Sequence, residues 1–316
     1  MTTVENVLVI KLGALGDFIL AMGAMEAIRR HHKNAQITLL TTRPFVDMAE
    51  RSGYFNHIIV DPRPKFYELQ DWYFLFNQFN KGNYARVYDL QLNDRTKVYY
   101  RLFMKKPEWS GVIAGSPLYY PNTNWRDMHA FKRHQEILQV AGIDMRIPDL
   151  SWMTADISLF KPKDPYVLLI SGSAPSRLEK RWPATRYGAL GLKLIKDGYQ
   201  VAIIGTQAEA EVIERVVKSC PDIVDLCGRT SLYDIAALAR GAAGAVGNDT
   251  GPTHLVSVIG CPTIALFCSA ASNPAYSSPV GQAVQAIQAE DLGDVSVGVV
   301  YKHLGILMNP GPEPAT

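Results

Sequence analysis

A chain of 316 residues with 47% hydrophobic and 20% charged residues is too long for one ordinary core and too apolar to stay disordered, so two folded domains are expected. A formal net charge of +2 argues against a polybasic nucleic-acid binder, and runs such as "VLVI" and "YVLLI" stop far short of the roughly 20 residues that span a bilayer. The four cysteines, Cys220, Cys227, Cys261 and Cys268, have no CxxC spacing, which excludes a standard zinc or dithiol motif and predicts reduced, mostly buried thiols.

Glu5 and Asn6 precede the first apolar run and no small-residue cleavage pattern follows it, so the chain is expected to stay in the cytoplasm. "NVLVIKLGALGDFILAMGAMEAIRRHHKNAQITLLTT" then reads as buried strand, glycine turn, helix, short loop and second buried strand, a βαβ unit that forces parallel pairing. "HIIVD" and "RVYDL" continue as strands. An aromatic and basic stretch follows, and between residues 63 and 133 twelve Lys and Arg stand against six Asp and Glu. A helix ending near "AGIDMRIPDL" closes this half, and "MTADISLFKPKDP", with two prolines and little periodicity, reads as the linker.

Beyond it the alternation restarts. "YVLLISGS", "QVAIIG", "IVDLCG", "GAVGND" and "PTIALF" read as strands, separated by the helices "ATRYGALGLKLIKDG", "AEAEVIERVVKSC", "LYDIAALARGA" and "PTHLVSVIG". Strands alternating with helices predict a doubly wound parallel sheet. The expected fold is therefore α/β, two Rossmann-like domains over residues 1–155 and 156–316 facing a central cleft. The last helix is a candidate to pack back on the first domain, and the closing "NPGPEPAT" is expected to be disordered.

The turn "KLGALGD" is not a dinucleotide fingerprint: only Gly13 and Gly16 match, and the second strand ends "TLLTTRP" without the ribose-binding acid. Asp17, at the start of a helix, is either a cap or a general base, because the carboxyl ends of strands are where open α/β sheets bind ligands. In the second half, "GNDTGPTH" also joins a strand to a helix. Amides at Gly251 can donate to an anion, Thr250 adds a hydroxyl, and Asp249 suits the hydroxyls of a sugar; helix capping is the plainer alternative. "SGSAPSRLEKRWP" has the same placement, with Ser171, Ser173 and the cation Lys180, so the two loops could surround a diphosphate. Glu209 and Glu211, after the next strand, suit ribose hydroxyls or are plain exposed helix charges.

On "VLVIKLGALGDFILAMGAMEAIRR", "KRWP" and "DLCGRTSLYDIAALARGAAGAVGNDTGPTHLVSVIGCPTIALF", the sequence resembles glycosyltransferase family 9, the lipopolysaccharide heptosyltransferases, over almost its whole length. The resemblance implies a GT-B architecture. It also implies an ADP-L-glycero-D-manno-heptose donor held mainly by the C-terminal domain and a lipid-linked, anionic inner-core saccharide met by the N-terminal one. Carried over residue by residue, it implies Asp17 as base beside Gly16 and Lys180 on the phosphate. Asp249 would contact the heptose, Thr250 and Gly251 the diphosphate, with His254 as the signature histidine. Glu209 would meet the ribose and Thr230 the adenine side. The segment "FCSAASNPAYSSPVG" departs from the family pattern, which has a glycine and a Pro-Thr pair there.

Those implications combine into an inverting transfer in which Asp17 deprotonates the acceptor while Lys180 and the Thr250–Gly251 amides stabilise departing ADP. Neither a cofactor nor a metal is expected, since no Asp-x-Asp pair stands at a strand end. Lys105, Lys106, Arg126, Lys132 and Arg133 are candidates to receive the acceptor at the cytoplasmic face of the inner membrane, and Tyr99, Tyr100, Phe103 and Trp109 are alternatively plain core. A monomer is expected, without nucleic-acid partners. A transferase of the same fold using another nucleotide sugar, a nicotinamide-dependent oxidoreductase and a non-catalytic nucleotide-sugar binder are the competing readings.

Overall fold

The first βαβ reading is met element by element: β1 (Asn6–Ile10), α1 (Leu15–His31) and β2 (Gln36–Thr41) follow in order. The computed structural model describes residues 4–160, 162–174 and 176–309. Lys161 of the expected linker, Pro175 and the tail from Pro310 onward lie outside the described residues. The chain divides into two compact units, Met1–Pro148 and Asp149–Thr316.

In the N-terminal unit, α2 (Val46–Ser52), β3 (His57–Val60), α3 (Leu69–Lys81), β4 (Arg86–Asp89), α4 (Asp94–Leu102), β5 (Glu108–Ser110) and α5 (Ala130–Val140) complete the alternation. The strands pair in parallel in the order β3-β2-β1-β4-β5, with Ile10 level with both Leu40 and Asp89. The direction of winding reverses between β1 and β4, which opens a crevice at their carboxyl ends. Val7, Leu8, Val9 and Ile10 have no exposed surface, as a central parallel strand covered on both faces requires. The turn leaving β1 needs glycine at Gly13: its φ is +121°, and a Cβ there would lie 2.8 Å from the ring of Phe45, which stacks on Phe18. Tyr99, Phe103 and Trp109 join Leu8, Ile10 and Phe79 in the core, so for these aromatic residues the packing alternative is the correct one.

In the C-terminal unit the elements are β6 (Tyr166–Ile170), α6 (Ala184–Lys196), β7 (Gln200–Gly205), α7 (Ala210–Ser219), β8 (Val224–Cys227), α8 (Leu232–Gly241), β9 (Gly244–Asn248), α9 (Gly251–Val258), β10 (Thr263–Cys268), α10 (Pro274–Ser277), β11 (Val284–Ala289) and α11 (Val297–Met308). The parallel order is β11-β10-β9-β6-β7-β8, so the winding reverses between β6 and β9. The edge strand β11 has no counterpart in the sequence reading, because its half-buried "VQAIQA" lacks the unbroken apolar run that marks the inner strands. The last helix, α11, lays Val300 and Leu304 into this unit's own core. Arg240 of α8 donates to the carbonyls of Leu150 and Met153, which ties down the start of the unit. Cys220, Cys261 and Cys268 are buried and Cys227 is half-buried, all as free thiols.

Candidate functional site

At the reversal between β6 and β9, Asn248 fastens two loops together. Its Oδ1 accepts from the Trp182 amide and the Tyr187 hydroxyl, each at 3.0 Å, and its Nδ2 donates to the carbonyls of Ser171 at 2.8 Å and Gly172 at 3.1 Å. The residue has no exposed surface, and a buried amide with all its hydrogen bonds made holds its neighbours in one arrangement. Sequence reasoning passed over Asn248 because, unlike Asp249 beside it, it offers nothing to a ligand. Trp182, also without exposed surface, donates from Nε1 to Val295 O at 2.9 Å and anchors the segment that follows Lys180.

So fastened, the loops bring Lys180 Nζ to 2.6 Å from Asp249 Oδ2, while His254 Nε2 stands 3.5 Å from the other carboxylate oxygen. Burial alone would push the Asp249 carboxyl up. The hydrogen bonds from His254 and Lys180 and the lysine charge outweigh it and bring the group down to about 2, so it is ionised across the physiological range. Thr250 is the N-cap of α9 but its side chain does not cap the helix; its hydroxyl leans on Asn248 O and Thr253 Oγ1 at 3.4 and 3.3 Å. The first turn of α9 thus keeps donors in reserve at its positive end.

The remaining C-terminal candidates lie along the same edge of the sheet. Ser171, directly after β6, is buried with its hydroxyl unpartnered. Ser173 Oγ is engaged in the loop itself, donating to Arg177 O at 2.8 Å and accepting from Arg181 Nε at 3.0 Å. Glu209, after β7, accepts through Oε2 from the amide and hydroxyl of Thr206 at 2.7 and 3.0 Å. Its Oε1 lies over Gly172, where a Cβ would stand 1.6 Å away, so the glycine is what admits the carboxylate to the loop after β6. Glu211, by contrast, pairs with Arg215 one helical turn on, the plain surface alternative. Thr230, after β8, has a buried hydroxyl without a partner. Candidates scattered from residue 171 to residue 254 are thereby gathered at the carboxyl ends of the four adjacent strands β9, β6, β7 and β8.

In the N-terminal unit Asp17 and Gly16 sit in the first turn of α1, where Ala14 is the N-cap and no side chain caps the helix. Capping therefore does not account for Asp17, which is exposed. Its charge acts on Lys11 and Arg133. Lys11 is buried and donates to Leu90 O at 3.1 Å; burial lowers it to about 8, against the opposing pull of Asp17. Lys11 was not among the sequence candidates, since one lysine at a strand end carries no motif.

The five acceptor candidates separate. Arg126 and Arg133 both lie over the ring of Trp125, at 4.2 and 5.5 Å from its centre, and Arg133 donates to Trp125 O. Lys106 closes the end of α4, donating to the carbonyls of Tyr100, Arg101 and Phe103. Lys132 pairs with Glu136 on α5, and Lys105 is exposed. Among the described residues no group of three or more His, Cys, Asp or Glu is arranged to hold a metal ion, and no helix is long and apolar enough to cross a membrane.

The family model for glycosyltransferase family 9 (heptosyltransferase) matches residues 123–296. The lipooligosaccharide heptosyltransferase 2 of Haemophilus influenzae is 31% identical over 114 residues, 34% of this chain, and in that match the chain spans only 32% of the relative's length. Two solved structures share the fold. The glycosyl transferase family 9 structure from Veillonella parvula aligns with a TM-score of 0.76 and 20% identity over 97% of this chain and 98% of that one. The Escherichia coli ADP-heptose lipopolysaccharide heptosyltransferase II aligns with a TM-score of 0.74 and 19% identity, covering 97% and 99%. The two parallel-sheet α/β units are therefore of the GT-B type.

Proposed function

Since the chain belongs to glycosyltransferase family 9, the heptosyltransferases, we propose that it moves heptose from ADP-L-glycero-D-manno-heptose to an inner-core lipopolysaccharide acceptor. The observation that carries this is the Lys180–Asp249–His254 set beside the uncapped start of α9. It joins a fixed cation, reserve amide donors and an ionised acid. Four parallel strands spaced about 4.8 Å apart spread Asp249, Lys180, Ser171, Glu209 and Thr230 over a distance on the order of 14 Å. That suits an extended nucleotide-sugar better than a lone phosphate.

The chemistry is an inverting displacement. The acceptor hydroxyl gives its proton to Asp17 as its oxygen attacks the anomeric carbon, and the bond from that carbon to the β-phosphate oxygen breaks with ADP carrying away the electron pair. Lys180 and the amides at Thr250–Gly251 stabilise the charge that grows on the leaving diphosphate. Asp249 holds Lys180 beside the start of α9, which keeps the cation in place for the donor. On binding, the diphosphate draws Lys180 away, and Asp249, still held by His254, turns to the sugar hydroxyls. This scheme uses no metal, because charge neutralisation is assigned to Lys180 and backbone donors. The E. coli relative's name includes ADP-heptose, which favours adenine and heptose over other nucleotide sugars.

The acceptor is assigned to the N-terminal unit, which carries Asp17. Peripheral association with the inner face of the cytoplasmic membrane is supported by Phe66, Tyr67, Leu69 and Tyr73, exposed by 86, 58, 73 and 67%, with Lys65 over the ring of Tyr67. Exposed aromatic rings beside a lysine suit an anionic headgroup layer. The test is a donor screen with ADP-heptose, UDP- and GDP-sugars on a deacylated inner-core acceptor, followed by product linkage analysis. Transfer from ADP-heptose with inversion is expected. Binding of ADP-heptose with no transfer to any inner-core acceptor would instead leave a non-catalytic binder.

A further inference from the structure

The loop after β10 brings one further side chain to Asp249. The Asp249 amide donates to Leu266 O of β10 at 3.0 Å, so the acid leaves β9 directly beside the carboxyl end of β10. Beyond Cys268 the chain turns back: the amides of Ala271 and Ser272 both donate to Cys268 O, at 3.0 and 2.9 Å, and Asn273 Oδ1 caps α10 by accepting from the Ala275 amide at 2.9 Å. Ser272 is thereby fixed between the strand end and the capped helix. It stands in "FCSAASNPAYSSPVG", the segment in which this sequence leaves the family pattern, so its role follows from this chain's own contacts.

Burial raises the Asp249 carboxyl, and His254, Lys180 and Ser272, in that order, act as donors against it. The first two contacts are complete, at 3.5 and 2.6 Å. Ser272 faces the carboxyl closely enough to help hold it down, yet its Oγ is enclosed and completes no hydrogen bond. Thr250, the other hydroxyl beside Asp249, is taken up by Asn248 O and Thr253 Oγ1. An enclosed hydroxyl without a partner is costly, and a ligand does not reach it, so it acts through a neighbouring side chain. Each carboxylate oxygen carries two lone pairs, of which Lys180 uses one on Oδ2 and His254 one on Oδ1. When Lys180 turns to a diphosphate, Oδ2 loses its charge-assisted bond on a side chain only 8% exposed. A carboxylate so enclosed and short of a donor takes up a proton more readily. A hydroxyl already in position supplies the missing donor and leaves the second lone pair of Oδ2 for a sugar hydroxyl.

We propose that Ser272 is a positioning residue for the donor sugar: its hydroxyl takes the place of Lys180 on Asp249 Oδ2 when the lysine moves to the diphosphate, and so holds the carboxylate toward the sugar. That the sugar is heptose rests on the transferase reading; the exchange of donors on Asp249 does not. The exchange is tested without any donor sugar by carboxyl NMR titration of the full chain, with Lys180→Ala standing for the lysine's departure. Ser272→Ala is expected to raise the pH at which the Asp249 carboxyl titrates by about one unit in the Lys180→Ala chain, and by less than about half as much with Lys180 in place. Calorimetry then compares ADP with ADP-heptose. Ser272→Ala should leave ADP affinity within about twofold of wild type and weaken ADP-heptose by about fivefold or more, as the loss of one hydrogen bond requires. Because the turn at Ser272 is held by backbone bonds, removing the hydroxyl leaves the loop built, and thermal midpoints on the same samples check it. Equal change in the carboxyl titration with and without Lys180, equal weakening of ADP and ADP-heptose, or ADP-heptose affinity unchanged overturns the proposal. A wild-type chain that binds ADP-heptose no better than ADP would instead remove the heptose assignment, while the carboxyl titration still reads the exchange, so the two failures are distinct.

Discussion

The two units share a parallel sheet with a winding reversal, yet they treat charge at that reversal in opposite ways. In the C-terminal unit, Lys180, Asp249 and His254 are mutually engaged and Asn248 locks the loops that carry them. In the N-terminal unit Asp17 is exposed on an uncapped helix end, with the buried Lys11 and the largely enclosed Arg133 as its charged neighbours. The difference follows the work proposed for each. A binding group is useful when it is already fixed, so a built-in counter-ion preserves it; a proton acceptor is useful only when its oxygens remain open to a substrate.

Substituting each side of this contrast should give unequal results. The largest effect is expected for Asp17→Asn, which keeps the shape and removes the base: turnover should fall by roughly 10²–10⁴ while ADP affinity, measured by calorimetry, stays at the wild-type value. Turnover near wild type would end the assignment of the two roles to separate units. Lys180→Ala should lower turnover by about 10²–10³ and, unlike Asp17→Asn, should also weaken ADP binding, because its charge is used in both the bound and the reacting state.

Two pH experiments sharpen the comparison further, because the shifted groups act at opposite ends of the scale. Lys11 is lowered to about 8 from an ordinary 10.5, so between those values the unfolded chain binds more protons than the folded one. Stability of the N-terminal unit should therefore rise as pH increases from about 8 to 10.5, by about 3 kcal/mol. Lys11→Met should flatten that rise, followed by urea unfolding through the Leu8 methyl signals. Asp249 is lowered to about 2 from 3.8, which stabilises the fold above the unfolded value and is lost as pH falls through the folded one. The C-terminal unit should lose about 2 kcal/mol between pH 4 and 2, read at the Val246 methyl signals, and Asp249→Asn should remove that acid-sensitive step. A flat acid profile in the wild type would show that the Lys180–Asp249–His254 set does not hold together in solution.

The alternation of strands and helices was legible from residue 6 onward because central parallel strands must be apolar throughout and crossover helices carry a helical period. "GNDTGPTH" and "KRWP" stood out as candidate ligand loops because an acid, hydroxyls, glycine and a cation at strand ends exceed what capping needs. Less was readable where a residue acts through a contact distant in sequence. Lys106 resembles an acceptor cation until it is seen donating to the end of α4, and Tyr99 and Trp109 resemble a binding surface until they are seen in the core. Ser173 resembles a phosphate ligand, but its hydroxyl is taken up in holding Arg181 and the loop.

Composition, period and local chemistry were enough to determine two α/β units, the turns at their strand ends and a short set of polar residues on them, because each of these depends on neighbours within a few positions. Only the tertiary structure decided that Lys180 meets Asp249 across 69 residues of chain, that Asn248 fastens their loops, that Gly172 makes room for Glu209, and that Trp125 gathers two arginines. Those arrangements depend on strand order, and the order β9-β6-β7 places side by side segments that the chain itself keeps far apart.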